Sequence, residues 1–145
     1  MPPTRTIDVL LEQYRASHLH PTNEWIHIVC VPTIVFTLLG LLWSVHPLLA
    51  LGAVLAALGY YLTLSRSFAL GMLLMAGLML AILSALPAGY ILPVSLGVFV
   101  LAWIGQFIGH KIEGKKPSFF TDLVYLLIGP IWVMSKFYRH MGWKY

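Results

Sequence analysis

Residues 25–43, WIHIVCVPTIVFTLLGLLW, hold no Lys, Arg, Asp or Glu from end to end. A helix needs about 20 mostly apolar residues to cross the roughly 30 Å hydrocarbon core of a bilayer. The run therefore reads as a transmembrane helix, marked only by His27 near its start and Pro32 further in. Three more charge-free runs follow, at 47–64, 68–86 and 91–108. A very short turn at Ser44, Val45 and His46 joins the first two, Arg66 closes the second, and Pro87 to Tyr90 turns the third into the fourth. Gly71, Ala76 and Gly77 are small enough to let such helices approach closely in lipid.

Composition agrees with that reading. The chain has 145 residues, of which 59% are hydrophobic and 10% charged, with a mean hydropathy of +0.85. A soluble domain carries about 25% charged residues, so a water-soluble globule is excluded, and the length allows a single membrane domain over residues 1–145. Cys30 is the only cysteine, which rules out an intramolecular disulfide framework and a multi-cysteine zinc site. The net charge of +4 is too dilute for the basic stripe that duplex binding requires, so no nucleic-acid partner is expected.

The ends of the chain read differently. Pro2 and Pro3, with no early apolar run and no small-residue cleavage site, do not form a signal peptide. Ile7, Leu10, Leu11 and Tyr14 recur at helical spacing, with Thr6 placed to cap, and predict an amphipathic helix lying at the interface. Residues 119–138 are apolar enough to span, but Asp122 sits in the first turn and Gly129-Pro130 interrupts the middle. Positive residues favour the cytoplasmic side. With Arg5 and Arg15 there, four crossings also bring Arg66, Lys111, Lys115 and Lys116 to it, and a fifth would strand Lys136, Arg139 and Lys144 opposite. The expectation is an all-α integral membrane bundle of four spans, an N-terminal amphipathic helix and a C-terminal re-entrant or interfacial helical hairpin, with a fifth span as the alternative.

That topology sorts the six histidines. His18, His20 and His27 stand near the start of the first span and His110 at the end of the fourth, all on one membrane face, whereas His46 lies opposite and His140 in the basic tail. An ionisable residue at such a depth is costly unless paired or liganded. Asn23 and His27 share one helical face, as do Gln106, His110 and Glu113. Two elements distant in sequence thus offer two histidines, and one histidine with a carboxylate, at the same depth. Such a donor set suits iron, manganese or zinc, and iron(II) with open positions suits oxygen chemistry. Spacing alone leaves open whether each histidine is a ligand or an interfacial residue. Met72, Met75 and Met79 read as packing residues.

Tyr14, His18, Asn23, Ile26, His27 and Val31-Pro32, together with Gln106-Phe107-Ile108-Gly109-His110, Glu113 and Pro117, resemble the membrane 2-hydroxy fatty acid dioxygenases of phytosphingosine breakdown and their bacterial relatives. The resemblance covers nearly the whole chain. It implies an Fe(2+)-dependent alpha-oxidation of a 2-hydroxy fatty acid by molecular oxygen, giving an acid one carbon shorter. It carries metal binding onto His18, His27, His110 and Glu113. Gln106 and Asn23 become residues at the catalytic site that orient ligands or substrate. His20 stands where the family often has another polar residue, and Cys30 where glycine is common. The implied location is a multi-pass membrane, the inner membrane of a bacterium or the endoplasmic reticulum of a eukaryote, with the metal site toward the cytoplasm. Lys111, Lys115 or Lys116 would draw an acidic substrate to the entrance. The competing readings are a di-iron lipid hydroxylase and a non-catalytic lipid-binding scaffold.

Overall fold

A computed structural model describes residues 4–115 and 119–145, with the backbone alone for 119–123. Lys116 and Pro117, and the side chain of Asp122, lie outside the described residues. Six helices follow in order: α1 (Thr6–Arg15), α2 (Pro21–Val45), α3 (Pro47–Leu64), α4 (Arg66–Ala85), α5 (Ala88–Glu113) and α6 (Phe119–His140). Among the described residues, α2 to α5 are long and apolar enough to cross a membrane. The four expected runs coincide with these helices to within a few residues, α2 and α5 extending past theirs at the histidine end.

The helix starts follow from local chemistry. α2 and α3 each begin with proline in the first turn, where the missing N–H is not needed. The residue before each is a histidine acting as N-cap: His20 accepts from the Thr22 amide at 3.2 Å and His46 from the Leu48 amide at 3.1 Å. Ser65 caps α4, accepting from Phe68 at 3.4 Å. Arg5, not Thr6, occupies the N-cap position of α1, and its guanidinium pairs with Asp8 at 2.8 Å. α5 ends at Gly114, whose φ of 75° is the left-handed conformation that closes a helix cheaply only with glycine.

Single-residue or two-residue joints make α2 to α5 run up and down. The longest seam joins α2 to α5 in antiparallel register, and glycines bring the two backbones together. A Cβ at Gly40 would overlap Ser95, one at Gly105 would lie 2.8 Å from Cys30 Sγ, and one at Gly109 would overlap Asn23 Oδ1. In lipid, where apolar surface gains nothing by leaving the solvent, such close contact is what holds helices together. The outward faces carry Leu70, Leu78, Leu101 and Ile104, each well exposed and suited to lipid chains.

The C-terminal segment corrects the hairpin expectation. Pro130 lies inside one continuous helix, and the chain does not reverse at Gly129-Pro130. Proline removes one intrahelical bond but does not force a turn when neighbouring helices hold the segment. Here Ile128, Ile131, Trp132 and Ser135, spaced as one helical face, are all buried. The alternative of a fifth span does not fit either. Glu113 at the end of α5 bonds Asn23, and Lys136 near the end of α6 pairs with Glu24 at 2.7 Å. Both contacts fall in the first turn of α2. Tyr138 Oη also donates to the Ser67 carbonyl at the start of α4, at 2.7 Å. The end of α6 thus lies at the same end of the bundle as the end of α5, with α6 packed against α1, α2 and α4. Lys136 and Arg139, in the last turns of α6, thus stand at the end of the bundle that carries Glu24 and Ser67.

Candidate metal centre

Three imidazoles meet at that end. His18 comes from the link between α1 and α2, His27 from the second turn of α2 and His110 from the last turn of α5. Their candidate ligand atoms all lie within 4.8 Å of one another, with His18 and His27 buried and His110 half-buried. Ring centroids are 4.1 Å apart for His18 and His27, 5.1 Å for His27 and His110, and 6.0 Å for His18 and His110.

Backbone geometry aims two of the rings. His18 Nδ1 lies 2.6 Å from the Tyr14 carbonyl and His27 Nδ1 lies 2.9 Å from the Asn23 carbonyl. Each contact spans four residues and places a donor N–H on Nδ1, so the lone pair resides on Nε2. His18 Nε2 is buried with no hydrogen-bond partner in the protein. A buried polar atom left in that state is expensive, and a cation at the common focus would satisfy it. Three neutral nitrogen donors suit iron, zinc or manganese, so the residues present fit a metal ion.

The surroundings fix this arrangement. Tyr14 stacks on His18 with centroids 4.2 Å apart and planes 7° from parallel, and Trp132 of α6 stands 5.3 Å from the same ring. Gln106, buried one turn before His110, makes a side-chain hydrogen bond to His27. Asn23 is fully buried. Its amide donates to the Ser17 carbonyl at 3.3 Å and to Glu113 at 3.0 Å, while its Oδ1 faces Gly109.

Glu113 stands apart from the three histidines. Its carboxylate accepts from the Leu19 amide at 3.1 Å, the His20 amide at 2.9 Å and Asn23 Nδ2. Both oxygens are thus spent on tying the end of α5 to the His18 link. Lys115 reinforces the tie, donating to the Ala16 carbonyl at 2.7 Å. His20, left open by the sequence, serves as the N-cap of α2. Trp132 was missed, although Ile128, Ile131, Trp132 and Ser135 carry the i, i+3, i+4, i+7 signal of a buried helix face.

Two expected results follow from this geometry. A Cβ at Gly109 would collide with Asn23 Oδ1 and lie 3.3 Å from His27 Cε1. Gly109→Ala is therefore expected to weaken metal binding by about 10- to 100-fold, the range for losing a residue that orients a ligand. Titration of the purified variant with iron(II) checks this. The second concerns pH. Burial holds the His18 pKa down from the usual 6.5 to about 4, against the opposing pull of the Tyr14 carbonyl. Between those values the unfolded chain binds more protons than the folded one, so stability present above pH 6.5 is lost as pH falls toward 4. Thermal melts of the metal-free protein will fall over that window, and those of His18→Gln will fall less.

Comparison with known proteins places the chain in a family. The family model described as 2-hydroxy-palmitic acid dioxygenase Mpo1-like matches residues 4–141. A curated relative from Saccharomyces cerevisiae, 2-hydroxy-palmitic acid dioxygenase MPO1, is 31% identical over 137 residues, covering 89% of this chain and 78% of the relative. No solved structure matches the chain.

Proposed function

We propose, from the premise that this chain belongs to the 2-hydroxy-palmitic acid dioxygenase Mpo1-like family, that it is an iron(II)-dependent dioxygenase shortening 2-hydroxy fatty acids by one carbon. The observation that carries the reading is the convergence of His18, His27 and His110 on one buried point. These three would hold the metal. Among the described residues they form the one group of this kind, which favours a single iron over the di-iron alternative and a catalytic protein over a lipid scaffold.

Bound iron(II) would supply the electrons that let molecular oxygen react with a spin-paired substrate. The overall change balances: a 2-hydroxy acid and one O2 give the acid one carbon shorter, carbon dioxide and water. The chain's own residues set the stage for it. The Tyr14 and Asn23 carbonyls hold the His18 and His27 rings in the tautomer that leaves Nε2 as donor. Gln106 orients His27 and is placed to meet the substrate's polar head. Tyr14 and Trp132 wall the site with aromatic surface and keep bulk water out. Glu113 is assigned to holding the link that carries His18, not to the metal. Lys111 is the remaining described candidate for attracting the substrate carboxylate, since Lys115 is engaged with Ala16. By the positive-inside tendency the site faces the cytoplasm.

Elemental analysis of protein purified from iron-supplemented cells tests the metal assignment. The reading expects a single iron per chain, and a preparation that is folded and active without iron would overturn it.

A further inference from the structure

An apolar cavity runs lengthwise through the bundle below the histidines. It holds about 150 Å³ and is open along one side. Val35 and Leu42 of α2, Ala53 and Ala57 of α3, Ala76 of α4 and Leu127 of α6 line it. Every side chain on its wall is apolar except Tyr61, whose hydroxyl is already spent on the Leu127 carbonyl at 2.7 Å. Nothing in it can bind a polar group, and a hydrocarbon chain is the occupant such a lining suits.

Two lines of contact connect it with the metal centre. Along α2, His27, Val31 and Val35 stack one turn apart on a common face. On the other wall, Tyr14 stacks on His18 and its hydroxyl lies 3.0 Å from where a Cβ of Gly129 would stand, while Val31 lies 3.2 Å from the same point. Gly129 precedes Pro130, which lines the cavity. At 1.5 Å per residue, the path from His27 to Leu42 is about 22 Å. That is comparable to an extended long acyl chain, one leaflet of the hydrocarbon core being about 15 Å.

We propose that this cavity is the tail site for the hydrocarbon chain of a 2-hydroxy fatty acid whose head lies at the histidines, and that Ala57 and Ala53 set the chain length it accepts. The inference rests on the fatty-acid reading above. Its physical basis is that alanine at both positions leaves space which a larger side chain would fill. α3 runs antiparallel to α2, so Ala57 lies nearer the level of Val35 and Ala53 nearer that of Leu39. The two alanines are thus successive marks along the tail.

The test uses full-length, iron-loaded protein in phosphatidylcholine nanodiscs and 2-hydroxyhexadecanoic acid bearing a photoreactive diazirine either at the terminal carbon or at mid-chain. Mass spectrometry is expected to find terminal adducts near Leu42 and Ala53 and mid-chain adducts near Val35 and Ala57, all suppressed by excess unlabelled acid. Adducts spread over outward residues such as Leu78 and Leu101, and insensitive to competitor, would overturn the tail site. Labelling reads position whether or not turnover occurs: cavity labelling without turnover sustains the tail site and sinks the oxidation chemistry, whereas turnover with labelling elsewhere does the reverse. Ala53→Phe is expected to lower turnover of long relative to short acids by about tenfold or more, and Ala57→Phe to move the cutoff to shorter chains still. An unchanged chain-length profile in both folded variants contradicts the proposal.

Discussion

His110→Ala is expected to leave a folded membrane protein that binds almost no iron and does not turn over a 2-hydroxy acid. His110 is half-buried at the end of α5, outside both of the main hydrophobic clusters. Its truncation therefore removes a donor without opening the core. Loss of a residue that merely orients a ligand costs about 10–100-fold in metal affinity, and loss of a ligand from a set of three must exceed that. His27→Ala is expected to remove metal equally but with a larger stability cost, because His27 is buried against Gly109 and Gln106. His140→Ala is the matched control: it is exposed at the end of α6, and its iron content and activity are expected to equal those of the parent. Wild-type iron content in His110→Ala would remove this residue from the centre.

Glu113→Ala carries the second largest expected effect and separates two roles for that carboxylate. In the structure it gathers the amides of Leu19 and His20 and the side chain of Asn23. Without it, two backbone N–H groups and one side-chain donor lose their acceptor, and the link bearing His18 is released from α5. The expected cost is about 10–100-fold in iron affinity. Once saturated at high iron, the variant is expected to show the wild-type ligand-field spectrum, since the nitrogen donors are unchanged. A shifted spectrum at saturation would instead show that Glu113 ligates the metal directly. Asn23→Ala combined with Glu113→Ala should cost less than the sum of the two, because they share one hydrogen bond.

The element pattern was legible because lipid imposes it. Charge-free runs of helical length can satisfy their backbone only internally, so α2 to α5 followed from residues 25–43 and their three counterparts. Their ends were less legible: Trp25 marks the first apolar residue, but the helix reaches back to Pro21, because His20 and proline together make a helix start that hydropathy does not register. At the C-terminus, Gly129-Pro130 carries the local signature of a break. The structure overrides it through burial of Ile128, Ile131 and Trp132 against α1 and its neighbours, information that resides in tertiary contact. Even so, Lys136 lies where the charge pattern put it, at the end of the bundle that holds the start of α2.

The site was legible in its members and less so in their division of labour. Helical spacing put Asn23 with His27 and Gln106 with His110, and the antiparallel α2–α5 seam brings both pairs together. Spacing equally put Glu113 with His110, but not that two amides of the α1–α2 link and the Asn23 side chain would claim its carboxylate. Two of those donors are backbone N–H groups, and a sequence does not show where they point. Tyr14 carried a periodicity signal as a core residue of α1; that its ring would also floor His18 depended on the chain turning back at Ser17.

His18, His27 and His110 are proposed to hold an iron that oxidises a 2-hydroxy fatty acid. The most direct test of this is to mix the iron-loaded protein anaerobically with 2-hydroxyhexadecanoic acid, admit oxygen, and identify the product by mass spectrometry. The expected product is an oxygen-dependent acid one carbon shorter, formed together with carbon dioxide and absent from His110→Ala. Unchanged substrate, a product of the original chain length, or the same product from His110→Ala would contradict it.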